Sequence, residues 1–218
     1  MSDGVSTGAV NRLQPHFATP AQQYETATFG MWVFLVTEIM FFGGLFTAYL
    51  MYRIQYADAF AHASEHLNIT LGCFNTVVLI GSSLTMALAV HSARMNKSKS
   101  IVFWIALTMI LGSIFLGVKG YEYHHKWVEG LFPANWFFQA PDAPRQRIFF
   151  SLYFAMTGLH ATHMIIGMGI MIYISIQALR GAYTSSWYTP VEVMGLYWHF
   201  VDLVWIFLFP LLYLIGLH

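Results

Sequence analysis

Apolar residues along this chain fall into five long stretches separated by more polar segments. The stretches cover approximately residues 29–52, 67–92, 101–121, 148–179 and 190–216. Each is long enough to form a helix across a bilayer core of ~30 Å, which requires about 20 apolar residues. The pattern therefore predicts an all-α polytopic membrane protein, with a bundle of five transmembrane helices over residues 29–218. The preceding residues 1–28 form a polar segment without the apolar core of a signal peptide.

Composition agrees with a membrane protein and excludes several other classes. The 218 residues are 57% hydrophobic and only 9% charged, whereas ordinary soluble domains are about 25% charged. Ten basic residues balance ten acidic ones, so no net charge favours nucleic acid or an acidic substrate. The single cysteine, Cys73, excludes a disulfide framework and a cysteine-ligated cluster within the chain. Because it lies in an apolar stretch, we expect a packed thiol.

The last apolar stretch carries three ionisable residues. A charge at the bilayer centre costs roughly 2.5–3.5 kcal/mol, so these residues require partners. Helical spacing places one set of residues on a common face: Glu192, Gly195, Leu196, His199 and Leu203. Asp202 lies three residues after His199, within side-chain reach of it. We expect this face to pack against another helix, and the opposite face to meet lipid or a neighbouring subunit through Trp205, Phe207 and Leu208.

Small and polar residues in two other stretches indicate where helices approach closely. The second stretch contains Gly72, Asn75, Ser82 and Ser83, and the third contains Gly112, Ser113, Gly117 and Gly120. Such residues allow close helix packing in lipid. The third stretch ends near Lys119 and Glu122, which are three residues apart and are expected to pair at the membrane surface.

The histidines have two interpretations. His160 and His163 are neighbours on the fourth stretch, and together with His199 and Glu192 they are candidates for a haem or metal site. Alternatively, they form hydrogen bonds between helices that fix the helix register. Membrane cytochromes b normally repeat a histidine pair at a second depth, and no second pair occurs here. The pattern therefore favours hydrogen bonds over a cofactor.

Glu38 is a single carboxyl near the middle of the first stretch. Since an unpaired carboxylate is costly at that depth, we expect Glu38 to be neutral or hydrogen-bonded to a neighbouring helix. A proton-linked function and a purely structural hydrogen bond are both consistent with this position.

Loops and their charges bear on topology. The longest connection, residues 123–147, contains three prolines and an aromatic cluster suited to the headgroup region or a partner surface: Pro133, Pro141, Pro144, Trp127, Phe132, Trp136, Phe137 and Phe138. Five basic residues fall on each side of the membrane. The only dense basic cluster in a short loop is at residues 94–99, which predicts that the N-terminus is inside.

Four separated motifs in the chain resemble subunit III of the haem–copper terminal oxidases. They are FLVTEIMFFGGLFTAY in the first stretch, FNTVVLIGSS with a terminal His91-Ser92 in the second, FFSLYFAMTGLHATHMIIG in the fourth, and YWHFVDLVWIFLF in the last. They follow the family order and span approximately residues 28–216.

This resemblance implies a non-catalytic subunit of a cytochrome c oxidase in the bacterial cytoplasmic membrane. Such a subunit holds no haem or copper itself, since these lie in partner subunits. It contacts oxidase subunit I and other oxidase subunits, binds phospholipid rather than nucleic acid, and supports proton uptake and the durability of the active site. The resemblance maps six candidate proton-linked or contact residues onto Glu38, His160, His163, Glu192, His199 and Asp202.

Two departures from the mitochondrial form accompany the resemblance. The chain is expected to lack the first two of seven helices, which form one wall of a lipid cleft, and its connection at residues 123–147 is longer. Alternatives are a quinol oxidase subunit III and an accessory subunit of nitric oxide reductase. A different class, an independent proton-coupled carrier that uses Glu38, would require inverted repeats or broken helices, and neither is evident.

Overall fold

The computed structural model describes residues 14–128, 143–184 and 187–214. The elements in these ranges are α1 (Pro20–Gln55), α2 (Ala57–Ser64), α3 (Ile69–Arg94), α4 (Ser98–Val128), α5 (Ala143–Leu179), α6 (Thr189–Phe209) and a short π-helix (Pro210–Leu214). Five helices are long and apolar enough to cross a membrane: Pro20–Gln55, Ile69–Arg94, Ser98–Val128, Pro144–Leu179 and Thr189–Leu214. The predicted all-α bundle of five spans is confirmed.

Helix capping explains why α1 begins nine residues before the predicted span. The Thr19 side chain accepts a hydrogen bond from the Gln22 N–H at 3.2 Å. The Gln22 side chain in turn accepts from the Ala18 N–H at 2.9 Å. This reciprocal arrangement satisfies N–H groups at the helix start, where no carbonyl of the helix is available. The first turns of α1 are polar, so a search for apolar stretches does not detect them.

The connection predicted at residues 123–147 is shorter than expected. Helix α4 continues to Val128 and α5 begins at Ala143, so helices take up both ends of the predicted loop. Trp127 lies exposed on α4. The other aromatic residues of the predicted cluster, with Pro133 and Pro141, lie outside the described residues.

Helix α2 follows α1 and had no counterpart among the predicted elements. It spans only eight residues, too few for an apolar stretch to reveal it. It buries Phe60, whose ring lies 5.4 Å from that of Phe149 on α5 and 5.5 Å from that of Tyr49 on α1. Helix α2 therefore joins α1 to α5 at one end of the bundle.

Helix α6 is the centre of the bundle and α1 is at its edge. Helix α6 packs against α1, α3 and α5, while α4 packs against α3 and α5. Twelve of the 21 residues of α6 are buried, whereas only Met31, Leu35, Phe42 and Tyr49 are buried among the 36 residues of α1. Most of the α1 surface is therefore not covered by the other described helices of this chain.

The central position of α6 corrects the prediction for its apolar face. Trp205 and Leu208 are fully buried, and only Phe207, at 57% exposed, faces outward. Leu203, assigned to the packed face, is half exposed instead. The reason is that helices cover α6 on several sides, so its apolar residues pack inside the chain. In particular, the Trp205 ring packs edge-on at 4.7 Å against Phe115 of α4.

One other packing prediction is wrong, and a second holds only in part. Cys73 is exposed on α3 rather than packed. In α4, Gly112 lies against the ring of Trp198, but nothing lies within 4 Å of the position of a side chain at Gly117 or Gly120. Close approach therefore occurs at only part of the predicted α4 row.

Candidate functional site

Glu38 and His163 meet between α1 and α5. Glu38 Oε2 lies 3.2 Å from His163 Nε2, and their side chains are 18% and 15% exposed. The atoms are at ion-pair distance, although their angles are not those of a formed hydrogen bond. The other ring nitrogen of His163, Nδ1, lies 2.9 Å from the Leu159 carbonyl oxygen. The expected neighbour of Glu38 is therefore a histidine of the fourth span.

This geometry determines which ring nitrogen of His163 faces Glu38. A carbonyl oxygen only accepts, so Nδ1 of His163 carries the proton in the contact with Leu159. Nε2 is the nitrogen that faces the Glu38 carboxyl group, at 3.2 Å. A carboxyl group and an imidazole can each bind a proton, so this pair is the candidate for a proton-linked function.

His160 and His163 are neighbours on α5 but face different helices. His160 is buried between the rings of Phe115 on α4 and Trp205 on α6, each with its centroid 5.4 Å away. Neither of its ring nitrogens has a hydrogen-bond partner within the described part of the chain. His160 therefore does not join the Glu38–His163 pair, although the two histidines are neighbours along α5.

The ionisable face of α6 packs against α3, as its pattern indicated. His199 Nδ1 lies 2.7 Å from Ser83 Oγ. Ser82 Oγ lies 3.4 Å from Asp202 Oδ2, so the partner of Asp202 is Ser82 rather than His199. His199 therefore links α6 to α3, and its partner is a serine of the polar row rather than an aspartate or glutamate.

Polar pairs and close approach at glycines continue to both ends of this α3–α6 interface. Glu192 accepts a hydrogen bond from Arg94 Nη2 at 2.8 Å. A Cβ added at Gly195 would lie 2.8 Å from Val90 Cγ2, so the absence of a side chain permits the approach. At the far end, Gly72 lies under the ring of Phe209. These contacts fix the register of α3 against α6 along nearly the whole span.

Tryptophans on α6 take part in this interface, and sequence reasoning missed them. Trp198 Nε1 donates to Ser82 Oγ at 3.1 Å, and Trp205 Nε1 donates to Thr76 Oγ1 at the same distance. These tryptophans could have been expected to contact a polar row on another helix, because a buried indole N–H needs a hydrogen-bond acceptor. Asn75, also in the predicted row, is buried, and its side-chain amide has no hydrogen-bond partner among the described residues.

The six candidate residues do not form one cofactor site. His163 contacts α1 and His199 contacts α3, so the two rings proposed as haem ligands are directed at different partners. In the described ranges, no three histidine, cysteine, aspartate or glutamate side chains are grouped so that they could hold a metal ion. The geometry shows one carboxyl–imidazole pair between α1 and α5 and one polar interface between α3 and α6.

A second polar cluster lies near the C-terminal end of α4. Lys119 Nζ lies 2.9 Å from Glu122 Oε2, and the two side chains are only 6% and 5% exposed. Tyr213 donates to both Glu122 oxygens at 2.8 and 2.9 Å, and Tyr153 donates to Oε1 at 3.0 Å. The ammonium group also lies 4.6 Å from the centroid of the Trp205 ring. We refer to Lys119, Glu122, Tyr153 and Tyr213 as the Lys119 cluster.

The predicted pairing of Lys119 with Glu122 is confirmed. The pair is buried within the bundle, because α4 continues beyond it and tyrosines from α5 and the π-helix cover it. Sequence reasoning did not identify the two tyrosines. The signal for them was that a buried carboxylate requires several donors.

Comparison with known proteins identifies the family. Residues 18–217 match the family described as cytochrome c oxidase subunit III. The chain is 32% identical over 187 residues to the cytochrome c oxidase subunit 3 of Alkalihalophilus pseudofirmus, covering 86% of this chain and 85% of that protein. It is 33% identical over 192 residues to the probable quinol oxidase subunit 3 of Staphylococcus haemolyticus, covering 86% and 88%.

A third relative has the same extent of similarity. The quinol oxidase subunit 3 of Bacillus spizizenii is 33% identical over 188 residues, which cover 86% of each protein. The match to the family includes all five spans and all six candidate residues. This chain belongs to the cytochrome c oxidase subunit III family.

Proposed function

We propose that this chain is the non-catalytic subunit III of a respiratory haem–copper oxidase, which reduces O2 to water and translocates protons. Family membership supports this proposal, and the Glu38–His163 pair is the observation that carries its proton-linked part. Haem and copper belong to partner subunits, and this chain stabilises catalytic subunit I, contacts phospholipid and supports proton uptake. The bacterial cytoplasmic membrane is the proposed location.

The exposed surface of α1 is consistent with assembly into a larger complex. Large apolar side chains point outward from this helix, among them Trp32, Ile39 and Met40 near Glu38. Such a surface requires lipid or a protein partner. Subunit I and bound phospholipid are the partners that we propose for it.

Cytochrome c is our first proposal for the electron donor of the complex, and a quinol is the second. The relatives described above include both kinds at 32% and 33% identity, so similarity does not separate them. Oxygen consumption by the purified complex with reduced cytochrome c, and separately with a quinol, distinguishes the two donors.

We expect haem to accompany this chain only through its partners. A tagged chain purified from its native membrane should carry haem absorption at stoichiometric content and should consume oxygen. The same chain expressed without its partners should show no Soret band and no stoichiometric iron, copper or zinc. A one-to-one metal content in the chain alone that is lost in His163→Ala would contradict the proposal, as would native purification without haem.

The proposed topology has the N-terminus inside and five spans. The test starts from a Cys73→Ser background, because Cys73 is the only native thiol and is exposed. A cysteine at Ser98, after α3, should resist an impermeant thiol reagent added outside intact cells. A cysteine at Glu65, before α3, should react. The reverse pattern would invert the topology, and permeabilised cells provide the control for accessibility.

A further inference from the structure

A cavity of about 340 Å³ lies beside the Lys119 cluster, between the segment that precedes α3 and the last turns of α4. Apart from Leu67 and Leu71, the residues that line it are polar or charged. The side chain of Glu65, one of these residues, is 67% exposed, so the cavity opens to the aqueous phase. Because a polar cavity of this size offers room and hydrogen-bond partners to several water molecules, we expect it to be hydrated.

Glu122 connects this cavity to the Lys119 cluster. It lines the cavity, although only 4% of the residue is exposed. Its carboxylate oxygens accept hydrogen bonds from Lys119, Tyr153 and Tyr213, and these three residues do not line the cavity. Glu122 is therefore the member of the cluster through which water in the cavity is linked to the buried ammonium group of Lys119.

Two sets of titratable groups surround Glu122. Those inside the bundle belong to α4, α5 and the π-helix: Lys119, Tyr153 and Tyr213. Those that share the cavity wall with it are Glu65, His66, His125 and Lys126. Lys126 Nζ donates to the His66 carbonyl oxygen at 2.7 Å, which holds this ammonium group in the wall. Lys119, whose Nζ lies 2.9 Å from Glu122 Oε2, is the cation in direct contact with the carboxylate.

We propose that the Lys119–Glu122 pair is a proton-binding site that exchanges its proton with water in the cavity. In the release direction, Lys119 Nζ gives one proton to Glu122 Oε2, which leaves a neutral amine beside a neutral carboxylic acid. The acid then gives this proton to a water molecule and becomes a carboxylate again, and binding follows the reverse path. The neutral intermediate avoids the cost of an isolated charge in the interior. Tyr153 and Tyr213 continue to donate to the carboxylate when the amine is neutral.

This site is distinct from the Glu38–His163 pair. Glu38 and His163 meet between α1 and α5, whereas the Lys119 cluster joins α4, α5 and the π-helix. Since α1 crosses the membrane before α3 begins, the cavity at the start of α3 lies on the side opposite the start of α1. In the proposed topology this is the outer side. The proton-binding site does not depend on the oxidase assignment.

Carbodiimide labelling of the purified full chain in lipid nanodiscs tests this proposal. A water-soluble carbodiimide adds to a protonated carboxyl group, and an amine then displaces the activated group to form an amide. Glu122 should be joined to Lys119, because the neutral amine lies within reach of it, at 2.9 Å. Peptide mass spectrometry should detect this cross-link as the loss of one water molecule. In Lys119→Gln the cross-link should be lost, and Glu122 should instead take up glycinamide supplied in the solution.

Leu71→Trp fills the cavity from α3 and should slow the modification of Glu122 several-fold. Thr70→Trp is the matched control, since Thr70 is exposed on the same helix and does not line the cavity. Glu65 reports that the reagent is active, because its side chain is exposed. Asp202, which is buried and does not line the cavity, reports entry of the reagent by another route.

Modification of Glu65 without modification of Glu122, in the parent and in Lys119→Gln, would overturn the proposal. An unchanged rate in Leu71→Trp, or equal modification of Asp202, would also overturn it, because the reagent would then not arrive through the cavity. Glycinamide on Glu122 of the parent without the cross-link would overturn the proton transfer from Lys119. The parent and Leu71→Trp remain informative if Lys119→Gln fails to fold. These readouts need no haem, so their failure is distinct from failure of the oxidase assignment.

Discussion

Lys119→Met is expected to lower the free energy of unfolding by about 3–5 kcal/mol, because it leaves the buried Glu122 carboxylate without its counter-charge. The double variant Lys119→Met with Glu122→Gln should recover most of this loss, since it removes both charges from the interior. The tyrosines of the Lys119 cluster remain as hydrogen-bond partners of the glutamine. Unfolding by SDS in mixed micelles, followed by circular dichroism, measures the difference between the variants.

Arg94→Met supplies the control for this prediction. Arg94 also pairs with a carboxylate, Glu192, at 2.8 Å, but the Arg94 side chain is 55% exposed and that of Glu192 is 18% exposed. Because water reaches this pair, its loss should cost about 1 kcal/mol, less than the loss of a pair that is buried on both sides. If Lys119→Met costs no more than Arg94→Met, or if the double variant is less stable than the single one, the Lys119 cluster does not stabilise the bundle as a buried ion pair.

Glu38→Gln is expected to assemble normally and to shorten the working life of the oxidase. Glutamine keeps the shape and hydrogen-bonding capacity of the side chain but cannot ionise, so it cannot exchange a proton with His163. Glu38→Ala should in addition assemble poorly, because a buried polar partner left unsatisfied costs about 1–3 kcal/mol. Oxygen consumption over sustained turnover measures the lifetime, with complex content taken from the haem spectrum.

Two further variants, one at His163 and one at Glu25, complete this experiment. His163→Gln should shorten the working life as Glu38→Gln does, because each substitution removes one side of the pair. Glu25→Gln, in the same helix but exposed, should behave like the parent. A Glu38→Gln complex with unchanged rate, pH dependence and lifetime would reduce the pair to a structural contact between α1 and α5.

The spans and one interface could be predicted because they depend on local pattern. Five apolar stretches are sufficient to predict five transmembrane helices, since a chain segment in lipid must satisfy its backbone hydrogen bonds within itself. Glu192, Gly195 and His199 recur at helical spacing, so their common face was evident before its partner was known. Ser82 and Ser83, in the predicted polar row of α3, contact this face of α6. Both inferences need only the period of the helix.

Partners across the bundle could not be predicted in the same way. The contact of Glu38 with His163 depends on which helices are neighbours, and a single sequence does not encode that order locally. The burial of the Lys119–Glu122 pair could not be predicted, because it depends on Tyr153 and Tyr213, which come from other helices. Trp205 is buried because α6 lies at the centre of the bundle, and that position is known only from the assembled structure.

The sparse burial of α1 has a consequence for biogenesis. This helix is synthesised before α5, so His163, the partner of Glu38, is added about 125 residues later, which takes roughly 6–25 s at ordinary rates of translation. During that interval Glu38 lacks the imidazole that later lies 3.2 Å from it. Because a carboxyl group without a partner is costly in the bilayer, the nascent helix requires shelter or another partner for Glu38. Packing of α5 beside α1 is then the event that forms the Glu38–His163 contact, late in the maturation of the subunit.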